Sequence, residues 1–377
     1  MGKGSRPTGA TLSGTVRTVG CTQPLPQAYW RSSKQGYARG RGYYQLGLGM
    51  PRVSVVMAVY NGERFLRQAI DSILSQTYAD FEFIVINDGS TDGTAEILNS
   101  YADRRLRVLT QPNMGLVKSL NRGIAMAGGD YIARMDADDI SLPQRLELQA
   151  KWLDGHPQTA VLGTANLVID ENDRPIGRHS HPTRSVAIEH ALLDGFCPLC
   201  HGSVMFRKAC FDQVGGYRER FRHAEDYDLW LRIIERHRTR NLPDLLYQYR
   251  LVLDSISSQH FIPQKRIAAF ALECAERRMA GLPEPVTPPP DPPPTRRELG
   301  EYHSYLGTVF AHLNRPDEAR AQFLRAVLSY PLDPYLWYFY MGSLLGNSFV
   351  QRVVPIGRGI VRVLPWVRKG PLGSFRR

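Results

Sequence analysis

Residues 113–139 read NMGLVKSLNRGIAMAGGDYIARMDADD, and the succession of patterns in this stretch decides the fold. Leu116–Met126 has helical periodicity, and Asp130–Met135 is a short apolar run of strand type that delivers the chain into Asp136-Ala137-Asp138-Asp139. The same alternation precedes it. Val53–Val59 (VSVVMAV) is a continuous apolar run, as expected of a strand buried on both faces of a parallel sheet. Phe65, Leu66, Ala69, Ile70, Ile73 and Leu74 then fall on one helical stripe. Phe81–Ile86 (FEFIVI) is a second buried strand ending in NDGSTDGT, where Asp92 or Thr91 can cap a short helix running to about Tyr101, and Leu106–Thr110 is a third strand. Strand and helix alternating at this spacing predict an α/β unit with a mostly parallel sheet, whose ligand groups gather at the carboxyl ends of the strands.

Downstream, Pro143 opens a helix (RLELQAKWL), Ala160–Ile169 is a strand and Glu225–Arg236 a helix. Residues 283–294 (PEPVTPPPDPPP) hold eight prolines in twelve positions, which forbids helix and sheet and predicts a stiff polyproline spacer. Beyond it, two helices flank the Asn314-Arg315-Pro316 turn, with Tyr305, Gly307, Ala311, Ala319, Phe323, Ala326 and Pro331 near the positions of a tetratricopeptide unit. A single repeat cannot bury its own face, so this hairpin is expected to dock a protein partner or self-associate. The expected organisation is a basic leader over 1–50, a catalytic domain over 51–262, a helical connection over 263–282, a proline-rich linker over 283–295, the helical hairpin over 296–340 and a basic amphipathic tail over 341–377.

The formal charge of +11 invites a nucleic-acid reading, but its distribution excludes one. Residues 1–50 and 341–377 each carry seven Lys or Arg and no acid, leaving 33 basic and 36 acidic side chains in the body. The leader reads as disordered, as sequence upstream of a start at Met50, or as a transit peptide. The tail alternates Val, Ile, Leu and Trp with Arg and is a candidate for peripheral membrane contact. Five cysteines in a long chain, with no signal peptide and no apolar run of about 18 residues, predict a cytoplasmic protein, held where peripheral at the inner face of the membrane.

In DADD, carboxylates two apart at the end of a strand point to the same side, so Asp136 and Asp138 can converge on one hard cation. A solvated acidic turn is the commoner fate of a lone DxD. Here it sits where open α/β sheets place ligands, and Asp88 ends another such strand.

With VSVVMAVYNGE, FEFIVINDGSTDGT, NMGLVKSLNRGIAMAGGDYIARMDADD followed by SLPQR, and HAEDYDLWLR, the chain resembles the family-2 glycosyltransferases of GT-A fold over about residues 52–258. The resemblance implies sugar transfer from a nucleotide-diphosphate donor to a saccharide or lipid-linked acceptor hydroxyl, with inversion, in the setting of cell-surface polysaccharide biosynthesis. It implies that Val59, Tyr60, Asn61 and Glu63 line the base and ribose. Asp88 would accept a hydrogen bond from a uracil-type ring, its alternative being a turn cap. Asp136 would lie nearest the ribose and diphosphate, and Asp138, with Asp136, would hold a divalent cation, Mg²⁺ or Mn²⁺. Asp226 would be the base, with Glu225 beside it. Asp139, Pro143 and Arg145 match the rest of the pattern, where helix capping and local ion pairing are sufficient roles. Relatives often carry a His where this chain has Val252; His260 lies eight residues too late, and His201 is the alternative, also matching a His near the acceptor.

Two other function classes remain open at this point. A nucleotidyltransferase acting on sugar phosphates shares the metal-and-diphosphate logic, but YNGERF lacks its glycine- and lysine-rich loop. A non-catalytic module would work through the C-terminal helices. Cys197-Pro-Leu-Cys200-His201 satisfies the haem-attachment string and resembles a redox pair, yet it lies late in the chain, without an export signal and outside a thioredoxin-like unit.

Overall fold

A computed structural model describes residues 51–253 and 255–346; the leader and most of the tail lie outside the described residues. The first half alternates as the sequence predicts: β1 (Val53–Val59), α1 (Leu66–Leu74), β2 (Phe81–Asn87), α2 (Thr94–Asn99), β3 (Leu106–Thr110), α3 (Leu116–Met126) and β4 (Tyr131–Met135). Then come β5 (Ile140–Ser141), α4 (Arg145–Gly155), β6 (Thr159–Ile169), β7 (Pro175–His179), α5 (Ser185–Leu193), β8 (Met205–Arg207), α6 (Lys208–Val214), α7 (Glu225–Ile234) and β9 (Arg238–Arg250). The chain continues through α8 (Ile256–Gln259), α9 (Phe261–Met279), α10 (Arg296–His312), α11 (Pro316–Ser329) and α12 (Pro334–Leu344).

The sheet runs β3-β2-β1-β4-β8-β6-β9-β5, with β7 paired to β6. β1, β2, β3 and β4 are mutually parallel, and the antiparallel β8 joins β4 to the second half, where β6 and β9 are parallel. This is the mostly parallel, helix-flanked sheet of the GT-A expectation. The chain leaves β1 toward β2 and β3 on one side and returns to β4 on the other, so the crevice between β1 and β4 is the topological switch point.

Strand alternation explains why the apolar runs are continuous. Val53, Val55, Met57 and Val59 of β1 pack with Leu66, Ala69, Ile70, Leu146, Ala150 and Leu153 on one face. Val56, with Ile84 and Ile86, packs with Leu120, Ile124 and Trp230 on the other. Both faces of β1, β2 and β4 are covered by helices, so the interiors of these strands are apolar except at Ser54, Glu82 and Arg134, whose side chains are hydrogen-bonded or ion-paired. Burying this many Val, Ile, Leu and Phe side chains, at about 1.5–3 kcal/mol each, is what the sheet's stability rests on.

Pro143 stands two residues before α4 rather than at its first turn. Residues 283–295 contain no helix or strand, as their prolines require, but they form a strap on the body. Glu284 pairs with Arg218 (2.8 Å), Arg278 (2.7 Å) and Arg220, and Arg266 takes Asp291 and Glu298. The helical unit has a third member beyond the expected hairpin, α12, which runs past residue 340. Tyr305, Ala311, Ala319, Phe323 and Ala326 are buried, and a Cβ on Gly307 would sit 2.7 Å from the Phe323 ring, which explains the small residue there. Among the described residues no helix is long and apolar enough to cross a membrane.

Candidate active site

The first wall of the site is stitched together where β1 and β2 end. The Val59 carbonyl accepts from the Asp88 N–H (2.8 Å). Asn61, in the left-handed region at φ 53°, donates its N–H to Ser90 Oγ (3.0 Å) and accepts through Oδ1 from the Thr91 N–H (2.8 Å). Asn is among the few side chains that tolerate this backbone conformation. Glu63 accepts from the Gly93 N–H (2.6 Å) and donates its own N–H to Asp92 (3.1 Å). The loop after β1 and the loop after β2 are thus one rigid lip, with the Tyr60 ring exposed upon it. Asp88 is buried and accepts from Gln111 Nε2 (2.7 Å) and the N–H groups of Met114 (2.9 Å) and Gly115 (2.8 Å). Burial would raise its pKa, but these hydrogen bonds outweigh it and hold the carboxyl below the usual range. Asp88 therefore anchors the start of α3 to the lip.

The second wall is the end of β4. Arg134, almost fully buried, pairs with Asp136 (2.6 Å); burial would lower its guanidinium pKa, but Asp136 together with Tyr217 and Tyr247 raises it above the usual value. The Asp136 N–H donates to Tyr247 Oη (3.3 Å). Gly202 lies against the same two groups: a Cβ there would come within 2.6 Å of Asp136 Oδ2 and collide with the Tyr247 hydroxyl. Burial and the neighbouring Asp136 charge lift Asp138 to about 6. Burial, followed by Asp138 and Asp136, puts Asp139 well above the carboxylate range, and its Oδ1 accepts from the Arg250 N–H (2.7 Å).

Two arginines hold this turn in place. Arg250 donates Nε to the Asp138 carbonyl (2.7 Å), one Nη to the Asp170 carbonyl (3.0 Å) and Asp173 (2.6 Å), the other to Gln68 (3.0 Å), and stacks 4.3 Å over Phe65. Arg145 does not make the local ion pair expected of it. It is fully buried, donates to the Arg134 carbonyl (2.6 Å) and Gln149 (3.1 Å), lies 5.1 Å over the Tyr247 ring, and is pulled down to about 10 by burial. This cation lies in the field of Asp136, and its donors are satisfied by carbonyls and an amide.

The third wall is the start of α7. Burial holds Asp226 at about 6, with the Tyr227 N–H (2.7 Å) and Arg134 acting the other way and Asp136 adding to the rise. Asp226 is thus in the electrostatic field of the β4 aspartate and its arginine, although 90 positions separate them. Glu225 is raised to about 7 by burial and by Asp226. Asp228, in the same acidic turn, is fully buried between Arg218 and Arg232 (2.8 Å) and is a structural ion pair. His201 bonds Tyr217 Oη through Nε2 (2.7 Å) and is kept neutral by burial and by Arg134.

The predicted site residues therefore converge at the rim where β1, β2 and β4 end. Arg134, Tyr217 and Tyr247 also belong to the site and were not anticipated. Their one sequence signal is a charged residue inside an otherwise apolar strand, Arg134 in YIARM. The donor chemistry fits a hard divalent cation: two carboxylate side chains, Asp136 and Asp138, neither of them fully buried, at the end of one strand. Among the described residues no cluster of three or more His, Cys, Asp or Glu forms a complete protein cage. Val252 is buried, and His260 stacks on His223 at 4.2 Å. Cys200 is pushed up to about 12 by burial and by Asp139 and Asp136, and Cys197 higher than its usual value by burial and Asp226, so both are thiols without redox activation.

The family model for glycosyl transferase family 2 matches residues 54–215. The putative glycosyltransferase EpsE of Bacillus subtilis is 41% identical over 218 residues, 56% of this chain and 77% of that one. The O-antigen biosynthesis glycosyltransferase WbnJ of Escherichia coli is 37% identical, covering 53% and 79%, and the amylovoran biosynthesis glycosyltransferase AmsE of Erwinia amylovora 32%, covering 55% and 79%. Among solved structures, S. aureus TarS 1-349 in complex with UDP-GlcNAc aligns with TM-score 0.48 at 19% identity, over 80% of this chain and 91% of that one. The mannosyltransferase PcManGT of Pyrobaculum calidifontis, in complex with GDP-Man and Mn²⁺, aligns with TM-score 0.46 at 18% identity, over 86% and 92%. On the identity and coverage of its curated relatives, together with the family match, this chain is a glycosyltransferase and belongs to glycosyl transferase family 2.

Proposed function

We propose that the chain transfers a sugar, with inversion, from a nucleotide-diphosphate donor to a hydroxyl of a saccharide or lipid-linked acceptor, and that Asp226 is the general base. The observation that carries this reading is the position of Asp226: a carboxylate held at about 6, in the field of Arg134 and Asp136. A base with that pKa is ionised at neutral pH, yet a better proton acceptor than an ordinary aspartate. Glu225, beside Asp226, and His201 are read as acceptor-side groups.

Donor binding is assigned to the lip formed by Val59, Tyr60, Asn61 and Glu63, with Asp88 fixing the loop at residues 111–115 and Asp136 nearest the ribose and diphosphate. The exposed Tyr60 ring is suited to stack on a base, and the neighbouring polar groups to orient the ribose. Asp136 and Asp138 would hold Mg²⁺ or Mn²⁺, which stabilises the negative charge of a leaving nucleoside diphosphate. Arg134 orients Asp136 through their ion pair, while Tyr247 and Gly202 confine it from the other side. As the acceptor hydroxyl attacks, its proton passes to Asp226. Attack by a hydroxyl opposite the leaving diphosphate, with no protein nucleophile between, inverts the anomeric carbon.

A polysaccharide-assembly setting follows the relatives named for O-antigen and amylovoran biosynthesis. The division into a catalytic body over 51–262, a helical connection, a proline strap and C-terminal helices belongs to the same reading. Family membership displaces both the nucleotidyltransferase and the non-catalytic alternatives. A panel of nucleotide sugars, incubated with and without Mn²⁺ and scored for released nucleoside diphosphate, tests the donor class. Metal-dependent release from at least one donor is expected. Binding of none of them, with or without metal, would overturn the assignment.

A further inference from the structure

α12 packs by one side only. Leu336 lies with Ala326 and Val327 of α11, and Leu336 and Ser343 mark its inward face. At about 100° per residue, the side away from the buried Leu336, Gly342 and Ser343 collects Trp337, Tyr338, Met341, Leu344 and, at the C-cap, Leu345, with Tyr335 exposed in the first turn. All six are exposed, between 44% and 75%. Leu328, near the end of α11, and Leu332, in the turn that follows, are exposed as well, at 71% and 83%. The Trp337 indole N–H is already bonded to the Pro331 carbonyl (2.9 Å), so the ring presents its apolar body outward. Soluble surfaces rarely gather this much aliphatic and aromatic area in one place without an occupant.

The charge pattern says what kind of occupant fits. From Tyr330 to Gln351 the sequence has one charged residue, Asp333, which caps α12 by accepting from the Tyr335 N–H (2.9 Å). From Arg352 to the end there are seven Lys or Arg and no acid. An uncharged aromatic helix directly followed by purely basic sequence matches a surface that is apolar beneath and anionic above. Tyr and Trp favour that boundary because each has an apolar ring and a polar tip. A second copy on the patch would bring two such basic segments together, and a tail folded back over it would meet no acid for its seven cations on the helix. We propose that α12 lies in the interfacial layer of an anionic lipid bilayer, with the basic sequence after it neutralising lipid headgroups. The surface lies on the C-terminal helices, so it would serve whatever sugar the cleft transfers.

The test uses the full chain and vesicles of phosphatidylcholine with or without phosphatidylglycerol. Flotation with the anionic vesicles is expected, weakened by salt, with at least about tenfold less protein on neutral vesicles. Met341→Glu combined with Leu345→Glu should reduce flotation by about tenfold or more while leaving UDP affinity and the melting temperature unchanged. Both positions are exposed, and the milder pair Met341→Ser and Leu345→Ser guards against a folding effect. Equal flotation on both vesicle types, absence of flotation, or a lipid-free dimer that the same substitutions convert to a monomer would each overturn the proposal. The last result would assign the face to a second copy.

Discussion

Changing Asp226 to Asn should separate catalysis from stability in opposite directions. The two side chains are nearly isosteric, so the α7 start keeps its shape and only the charge is lost. The folded protein holds Asp226 at about 6, against 3.8 for an unperturbed aspartate, because burial disfavours the charged form. At about 1.4 kcal/mol per tenfold in proton affinity, ionised Asp226 costs the fold up to about 3 kcal/mol. That cost is fully present above pH 6, where both folded and unfolded carboxyls are charged. It fades as pH falls through 6 and is gone below the unfolded value. Asp226→Asn should therefore melt several degrees higher than the parent at pH 8, with the gain vanishing toward pH 4. Over the same range, kcat should fall about 10²- to 10⁴-fold with little change in affinity for the nucleotide of its donor. The parent's kcat/KM should decline below about pH 6 as the base protonates, and the variant should lack that limb. Initial rates of diphosphate release across pH, with calorimetric melts of the same samples, give both readouts. A kcat within tenfold of the parent, or a lower melting temperature at pH 8, would refute the assignment.

Three further outcomes follow from the same geometry. Gly202→Ala places a methyl against Asp136 and Tyr247; it should lower kcat/KM at least about tenfold and cost about 1–3 kcal/mol of stability, read by turnover and urea unfolding. Arg250→Lys keeps the charge but loses the planar fork that reaches the Asp138 and Asp170 carbonyls, Asp173 and Gln68. It should destabilise by about 2–4 kcal/mol and weaken Mn²⁺ binding, measured by calorimetry with the metal alone. Tyr60→Ala removes only an exposed ring, so thermal stability should hold while the donor KM rises about fivefold or more with kcat nearly constant, as loss of a base-stacking contact of about 1–3 kcal/mol requires.

The first half of the fold was legible because its strands are buried on both faces: a run such as Val53–Val59 admits few other structures once helices flank it. The second half was harder to read. β9 (RTRNLPDLLYQYR) mixes charges, a proline and apolar residues, and it remains a strand of thirteen residues because its register against β6 shifts around Thr164 and Ala165, where Pro243 is passed over. β8 has three residues, too few to show a period. In the site, the carboxylates were legible from their places at strand ends and at a helix start. Their supports were not: Arg134 and Arg145 act through backbone carbonyls and fields from strands distant in sequence. Tyr217 and Tyr247 are ordinary aromatics until folding sets them beside His201 and Asp136. The proline segment was read from composition as a spacer, whereas its few acidic residues bind it to the body.

Those acids bear on where the chain can be cut. Arg218 grips both Glu284 and Asp228, and Asp228 follows Asp226 by two residues on the same helix turn. An enzyme shortened to end at Gly281 would keep every residue proposed to meet substrate, yet leave Arg218, Arg220 and Arg278 without their shared anion, close to the turn that carries the proposed base. Trimmed forms intended for crystallisation or donor screening should therefore run past Asp291, and a weak shorter form would report a slackened hinge pin rather than a missing catalytic group.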